Sequence, residues 1–291
     1  MSETIKRLDV HLTNLYPGYS RGYFQKLIKT GQATVNGKKV SSHYGIKEGD
    51  DINVSFSAAP ADLVAQDMPL DIVYEDDDVL LINKPAGLVV HPACGHHDGT
   101  LLNALAGYAK DKFKPMLVHR LDKDTSGIMI VAKNERAKNS LIKQFQRQSV
   151  HKTYLAAAAG AVNEEKGRIE APLGRSPVDR RKIVVGPLAS KMAVTEFTVV
   201  YRSRGYSLLE VHPLTGRTHQ IRSHLAYIGH PVLGDITYGG PERAGSSVFK
   251  RQMLHACKVS FIHPAKNRRM EFSAPLPEDI ERLWKKEKLN C

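Results

Sequence analysis

The stretch of this 291-residue chain richest in groups able to do chemistry runs from Leu117 to Lys133. It joins two apolar, strand-like runs through a loop containing His119, Arg120, Asp122, Asp124, Thr125 and Ser126. Asp and Ser in a loop are the ordinary residues of turns and caps. An Asp in a cleft is also a competent nucleophile or base, provided a neighbouring cation holds it ionised, because a buried carboxylate otherwise becomes neutral. Other clusters offer less. Cys94, His96 and His97, joined by His255 and Cys257, match no paired zinc-ligand spacing, and His219, His224 and His230 include no HExxH arrangement, so no metal is expected. The basic run Arg175 to Lys182, broken by Pro177, is either a solvated loop or a flap that grips a polyanion.

Charge narrows the partner class. The 42 Lys and Arg residues against 30 Asp and Glu give a net charge of +12, which favours a polyanion through phosphate neutralisation and counterion release. The three cysteines, Cys94, Cys257 and Cys291, are too few and too scattered for a disulfide framework and point to a reducing cytoplasm. The polar start of the chain offers no signal peptide, and no apolar run reaches the ~20 residues that cross a bilayer.

The elements that must position these groups fall into two regions. Ile5, Leu8, Leu12 and Leu15 recur at helical spacing up to Pro17-Gly18, and Ser20 is placed to cap a second helix over Arg21 to Thr30. That helix buries Phe24, Leu27 and Ile28 and presents Arg21, Lys26 and Lys29, with Gly31 at its exit. Ala33 to Val35 and Lys39-Val40 flank Asn36-Gly37, a hairpin signal because both turn positions tolerate positive φ. Residues 1–58 are therefore read as a small α/β domain, 59–68 as a linker and 69–291 as a larger domain. In the larger domain, strands are expected at 71–74, 79–83, 154–159, 194–201, 207–211 and 259–263, with helices from Thr100 to Tyr108 and Glu135 to Gln148. Strands interspersed with helices, without regular βαβ alternation, predict an α+β domain on a mainly antiparallel, mixed sheet.

Two resemblances add to this reading. The order of elements from Ile5 to Phe56, with Tyr19-Ser20-Arg21, Val35-Asn36-Gly37 and Glu48 to Ile52, resembles the small RNA-binding domain named after ribosomal protein S-four. His119-Arg120-Leu121-Asp122 with Thr125-Ser126-Gly127 resembles the signature of the RluA family of pseudouridine synthases. Further matches follow in order at Asn83-Lys84-Pro85, His91-Pro92, Lys152-Thr153-Tyr154, Gly216 to His224, and Leu233-Gly234-Asp235 to Tyr238-Gly239. The RsuA family, which also carries the S-four-like domain, fits less well because it lacks the Gly-Arg-Thr-His-Gln-Ile-Arg run present at 216–222.

The resemblance implies a cofactor-free, monomeric isomerase that converts uridine to pseudouridine in large-subunit ribosomal RNA, or at a transfer RNA or other ribosomal site. A non-catalytic ribosome-assembly protein is the competing reading. Neither DNA nor a membrane is an expected partner. By the same resemblance Asp122 is the essential carboxylate, Arg222 its cationic partner and Tyr154 the ring beneath the base, while Arg120 fills the stack that the flipped nucleotide vacates. His119 is expected to touch RNA, Lys152 and Arg217 to contact its backbone or brace the pocket, and Arg21, Lys26 and Lys29 to grip phosphates.

Overall fold

The computed structural model describes residues 7–16, 19, 21–56, 63–92, 98–186, 190–244 and 247–286. The expected Pro17-Gly18 turn, the Ser20 cap, Ile5, and the cluster Cys94, His96 and His97 lie outside the described residues, as does Cys291. The chain divides between residues 62 and 63 into two compact units.

In the first unit, α1 (Leu8–Leu15) and α2 (Arg21–Thr30) pack over β1 (Ala33–Val35) and β2 (Ile52–Val54). Leu8, Leu12, Phe24, Leu27 and Ile28 are buried together at helical spacing, whereas Leu15, expected on the same face, is exposed. The Asn36-Gly37 turn forms with φ of 52° and 71°, but Val35 pairs beyond it only with Lys38. The antiparallel partner of β1 is β2, with Ala33 opposite Val54, and not Lys39-Val40. Ile52 and Val54, two residues apart, both pack on the helices, while Lys38 and Lys39 leave Val40 alone to do so.

The second unit is α+β. Its elements are β3 (Ile72–Glu75), β4 (Val79–Lys84), α3 (Leu101–Ala109), β5 (Met116–Leu117), β6 (Ser126–Ala132), α4 (Glu135–Gln146), β7 (His151–Ala159) and β8 (Lys166–Arg175). There follow β9 (Ile183–Val185), β10 (Lys191–Arg202), β11 (Tyr206–Pro213), α5 (Gln220–Tyr227), a 3-10 turn (Ile236–Tyr238), β12 (Arg243–Ala244), β13 (Ser247–Val248), β14 (Leu254–Ile262), β15 (Arg269–Ser273) and α6 (Glu278–Lys286). One sheet in the order β3-β4-β6-β14-β7-β11-β10-β8-β9 spans the unit, with β5 added to β6 and β15 to β14. Every pairing in it is antiparallel except β6 with β14.

Alternation builds the core on both faces of this sheet. Val79, Leu81, Ile128 and Ile130 face Leu141 of α4, while Leu80, Ile82, Met129 and Val131 face Leu101 and Leu105 of α3. Thr100 opens α3 as expected, with its backbone N–H donating to Asn103 Oδ1. Strand β8 was not among the expected strands, and its Gly167, Pro172 and Gly174 are residues that weaken a strand pattern. Within it Ile169, Ala171 and Leu173 are nevertheless buried at a period of two. Residues 63–68, read as the end of a linker, lie along α3: Gln66 N–H donates to Asn103 O at 3.1 Å and Asn103 Nδ2 to Val64 O at 2.8 Å. No helix among the described residues is long and apolar enough to cross a membrane.

The parallel junction sets the position of the loop containing Asp122. Gly127, at φ +119°, pairs with Ala256, and a Cβ there would sit 2.3 Å from Ala256 O. Gly127→Ala is expected to lower the unfolding free energy of the second unit by about 2–4 kcal/mol. Urea unfolding followed by the lone tryptophan, Trp284 of α6, measures this, and an unchanged midpoint would contradict the close approach.

Candidate active site

The loop between β5 and β6 is held from three sides. The buried ammonium of Lys84, at the end of β4, donates to Pro85 O at 2.7 Å, Leu88 O at 3.0 Å and Lys123 O at 2.9 Å. Burial lowers its pKa to about 8, with the charge of Asp124 working in the opposite direction. Arg251 Nη1 donates to Asp124 O at 3.0 Å, and Gln252 Nε2 to Thr125 Oγ1 at 2.8 Å. Ser126 Oγ meets His255 Nδ1 at 2.9 Å, which gives His255 a packing role on β14. Inside the loop Thr125 N–H donates to Asp122 O at 3.2 Å, closing the turn. The Asp122 carboxylate thus projects from backbone fixed on both sides.

Its partner arrives from α5. Arg222 Nη1 lies 2.9 Å from Asp122 Oδ2, while Nε and Nη2 hold Asp235 at 2.6 Å and 2.8 Å. Asp235 is buried, and its bidentate grip leaves Nη1 for Asp122. Burial opposes the guanidinium's charge, but the hydrogen bonds to Asp235 and the charge of Asp122 outweigh it, so its pKa is raised. The Tyr238 ring lies 5.1 Å from the Arg222 guanidinium carbon. Helix α5 is anchored by its own polar residues: Gln220 Nε2 donates to Val194 O and Thr195 Oγ1, and His224 Nδ1 meets Thr195 Oγ1 at 2.9 Å. His219, at φ +52°, turns the chain into the helix. Its Nδ1 meets Tyr238 Oη at 3.0 Å and its Nε2 lies 3.9 Å from Asp122 Oδ1.

Asp122, Arg222, Tyr154, Lys152, His119 and His219 all line one cleft of about 390 Å³, a volume suited to a nucleoside. Tyr154 and Lys152 are two residues apart on β7, so they share a face of the sheet. Burial and then the charge of Asp122 raise the pKa of the Tyr154 phenol, which keeps it protonated at neutral pH. Arg120 and Arg217 stand exposed on the rim, and Arg217 Nε donates to Met192 O.

Two residues expected to touch RNA have other partners. His119 Nε2 accepts the Ile130 N–H at 2.9 Å and its ring stacks on Phe145 at 4.9 Å, and burial lowers its pKa to about 3. It therefore braces the loop as a neutral ring. In the first unit, Arg21 Nε binds the buried Asp9 at 2.9 Å, and Asp9 is also held by Arg7 and Gln25. Lys26 and Lys29 are exposed on the same helix, and neither forms an ion pair among the described residues. Asp235, Tyr238 and Lys84 were within the matched motifs, but no sequence signal specified what they would hold.

A third group, Asp76, Asp78 and His263, has the spacing of metal ligands. Its carboxylates are already paired, Asp76 with Lys266 at 2.7 Å and Asp78 with Arg136 at 2.7 Å, so the group serves as an ion-pair network.

Comparison with known proteins agrees with this geometry. The model for the RNA pseudouridylate synthase family matches residues 78–227, and that for the S4 domain matches residues 6–52. An RNA pseudouridine synthase of Bacillus subtilis, YlyB, is 43% identical over 285 residues, covering 96% of this chain and 93% of that protein. Ribosomal large subunit pseudouridine synthase D of Pseudomonas aeruginosa is 42% identical over 293 residues, covering 96% and 90%. The solved structure of human RNA pseudouridylate synthase domain containing 1 superposes with a TM-score of 0.59 at 31% identity, over 73% of this chain and 86% of that one. With its signature motifs gathered around one cleft, the chain belongs to the RNA pseudouridylate synthase family and is an RNA pseudouridine synthase preceded by an S4 domain.

Proposed function

We propose that this enzyme isomerises uridines of large-subunit ribosomal RNA in the cytoplasm, acting as a monomer, with Asp122 as the carboxylate that works at the sugar. The observation that carries the reading is the Asp122–Arg222 pair at 2.9 Å at the floor of a nucleoside-sized cleft. The ribosomal target is taken from relatives named ribosomal large subunit pseudouridine synthase D, at 42–43% identity.

The reaction breaks N1–C1′, turns the base and joins C5 to C1′. The bonding pair leaves with uracil, C5 of the turned anion forms the new bond, and one proton leaves C5 while one is gained at N1. No net oxidation occurs. Asp122 either attacks C1′ to form an ester or takes the C2′ proton to form a glycal, and both routes require an anion beside the ribose. Tyr154, held as a phenol, supports the base and handles a proton at C5. The uridine must first leave its stack, and Arg120 on the rim fills the gap. The S4 domain adds affinity through Lys26 and Lys29.

Asp122→Asn is expected to cut pseudouridine formation in unmodified large-subunit RNA by at least ~10³-fold while leaving RNA affinity within about threefold of wild type. Nucleoside analysis of the digested RNA reads this, and normal turnover would refute the assignment. Asp235→Asn, which frees the guanidinium on its far side, should slow single turnover by roughly 10²-fold with little change in RNA affinity. Replacing both Lys26 and Lys29 with Ala should leave the rate on bound RNA intact and reduce the slope of log affinity against log salt by about 1.5.

A further inference from the structure

Lys152 is the half-buried cation of the cleft that has no carboxylate. Its Nζ donates to Thr215 O at 3.1 Å, and among the described residues it forms no ion pair. Burial alone lowers its pKa to about 8. The contrast with Arg222 is sharp, since two carboxylates hold that guanidinium. An ammonium drawn partly out of water, with one carbonyl for company, is stabilised by an anion that joins it. Two of its three N–H donors have no acceptor in the cleft wall among the described residues.

The reaction creates such an anion. When N1–C1′ breaks, the bonding pair leaves with uracil and its charge spreads over N1 and the carbonyl oxygens. Asp122, Arg222 and Asp235 form a cluster of two negative charges and one positive. That net negative charge suits the electron-poor sugar and repels the departing base. Lys152 sits beside Tyr154 on the face of β7 that lines the cleft, next to the ring that carries the base.

We propose that Lys152 stabilises the uracil anion released on glycosidic cleavage and holds it in the cleft while it turns. The proposal rests on the assignment of the cleft as the uridine site. Lys152 keeps its proton throughout. Its positive charge attracts the anion's carbonyl oxygens through the rotation, and its hold relaxes when C5 bonds to C1′ and N1 takes up a proton.

The test is single turnover of Lys152→Met and Lys152→Arg on unmodified large-subunit RNA, alongside equilibrium binding across a salt series. Lys152→Met should slow the chemical step by about 10²-fold with unchanged affinity and salt slope, and Lys152→Arg should recover part of the loss. RNA carrying 5-fluorouridine, whose ring releases a more stable anion, should show a much smaller defect in loss of the original nucleoside. The wild-type rate should fall as pH rises through about 8, where the ammonium is lost, and the Met variant should lack that fall. Lys84, which holds the Asp122 loop, also has its pKa lowered to about 8, so a fall that survives in Lys152→Met would belong to Lys84 and count against the proposal. His119 and His219 titrate below their usual range, and Tyr154 and Arg222 above theirs. A weaker affinity, a salt slope reduced by about 1 and an unchanged chemical step would overturn the proposal and make Lys152 a phosphate contact. Equal slowing on uridine and 5-fluorouridine would also overturn it. Full turnover by Asp122→Asn would instead sink the catalytic carboxylate, a result separate from either outcome.

Discussion

The Arg222 guanidinium, shared between Asp122 and Asp235, is the interaction around which the catalytic unit is arranged. Three charged groups are drawn largely out of water there, which is tolerable only because nearly every donor and acceptor finds a partner. Asp235 takes the Nε–Nη2 edge of the guanidinium, and its own burial fixes the plane of the group. Asp122 then receives an N–H of Nη1. Tyr238 stacks beneath the guanidinium and, through its hydroxyl, connects His219 to the Ile183 N–H.

Around that cluster the scaffold works by fixing backbone. Lys84 and Arg251 use their charges on carbonyl oxygens of the loop, so two cations hold the segment that presents an anion. Gly127 allows β6 to run close beside β14, and Gln220 and His224 attach α5 to β10. A carboxylate mounted this way does not wander when a nucleotide enters, and preorganisation of that kind is where much catalytic stabilisation originates.

Much of the framework was legible in the sequence because it is local. Helix α2 falls on the expected Arg21 to Thr30, α3 starts at its Thr100 cap, and alternation in β4 and β6 gives the two-faced core. Where expectation failed, the competing contact was distant. Strand β1 takes its partner from Ile52–Val54, 17 or more residues away, and β8 forms despite two glycines and a proline because β10 supplies its ladder. Gly167 is accommodated there because its missing side chain makes room for the Phe197 ring. Residues 63–68 looked like a linker because their hydrogen-bond partner, Asn103, lies in a later helix.

The same division holds at the site. Sequence alone determined its chemical inventory: a carboxylate at 122, a phenol at 154, a guanidinium at 222, and their order in the chain. Tertiary structure decided who holds whom. Asp122 and Arg222 are 100 residues apart, and only the sheet order brings β6 and α5 to one cleft. Tertiary contacts then sorted the remaining polar groups, giving His119 and Arg21 bracing partners and leaving Lys152 without a counter-charge among the described residues. The physical reason is that residue type fixes what a side chain can donate, accept or charge, whereas pairing depends on distance and desolvation, which no local segment encodes.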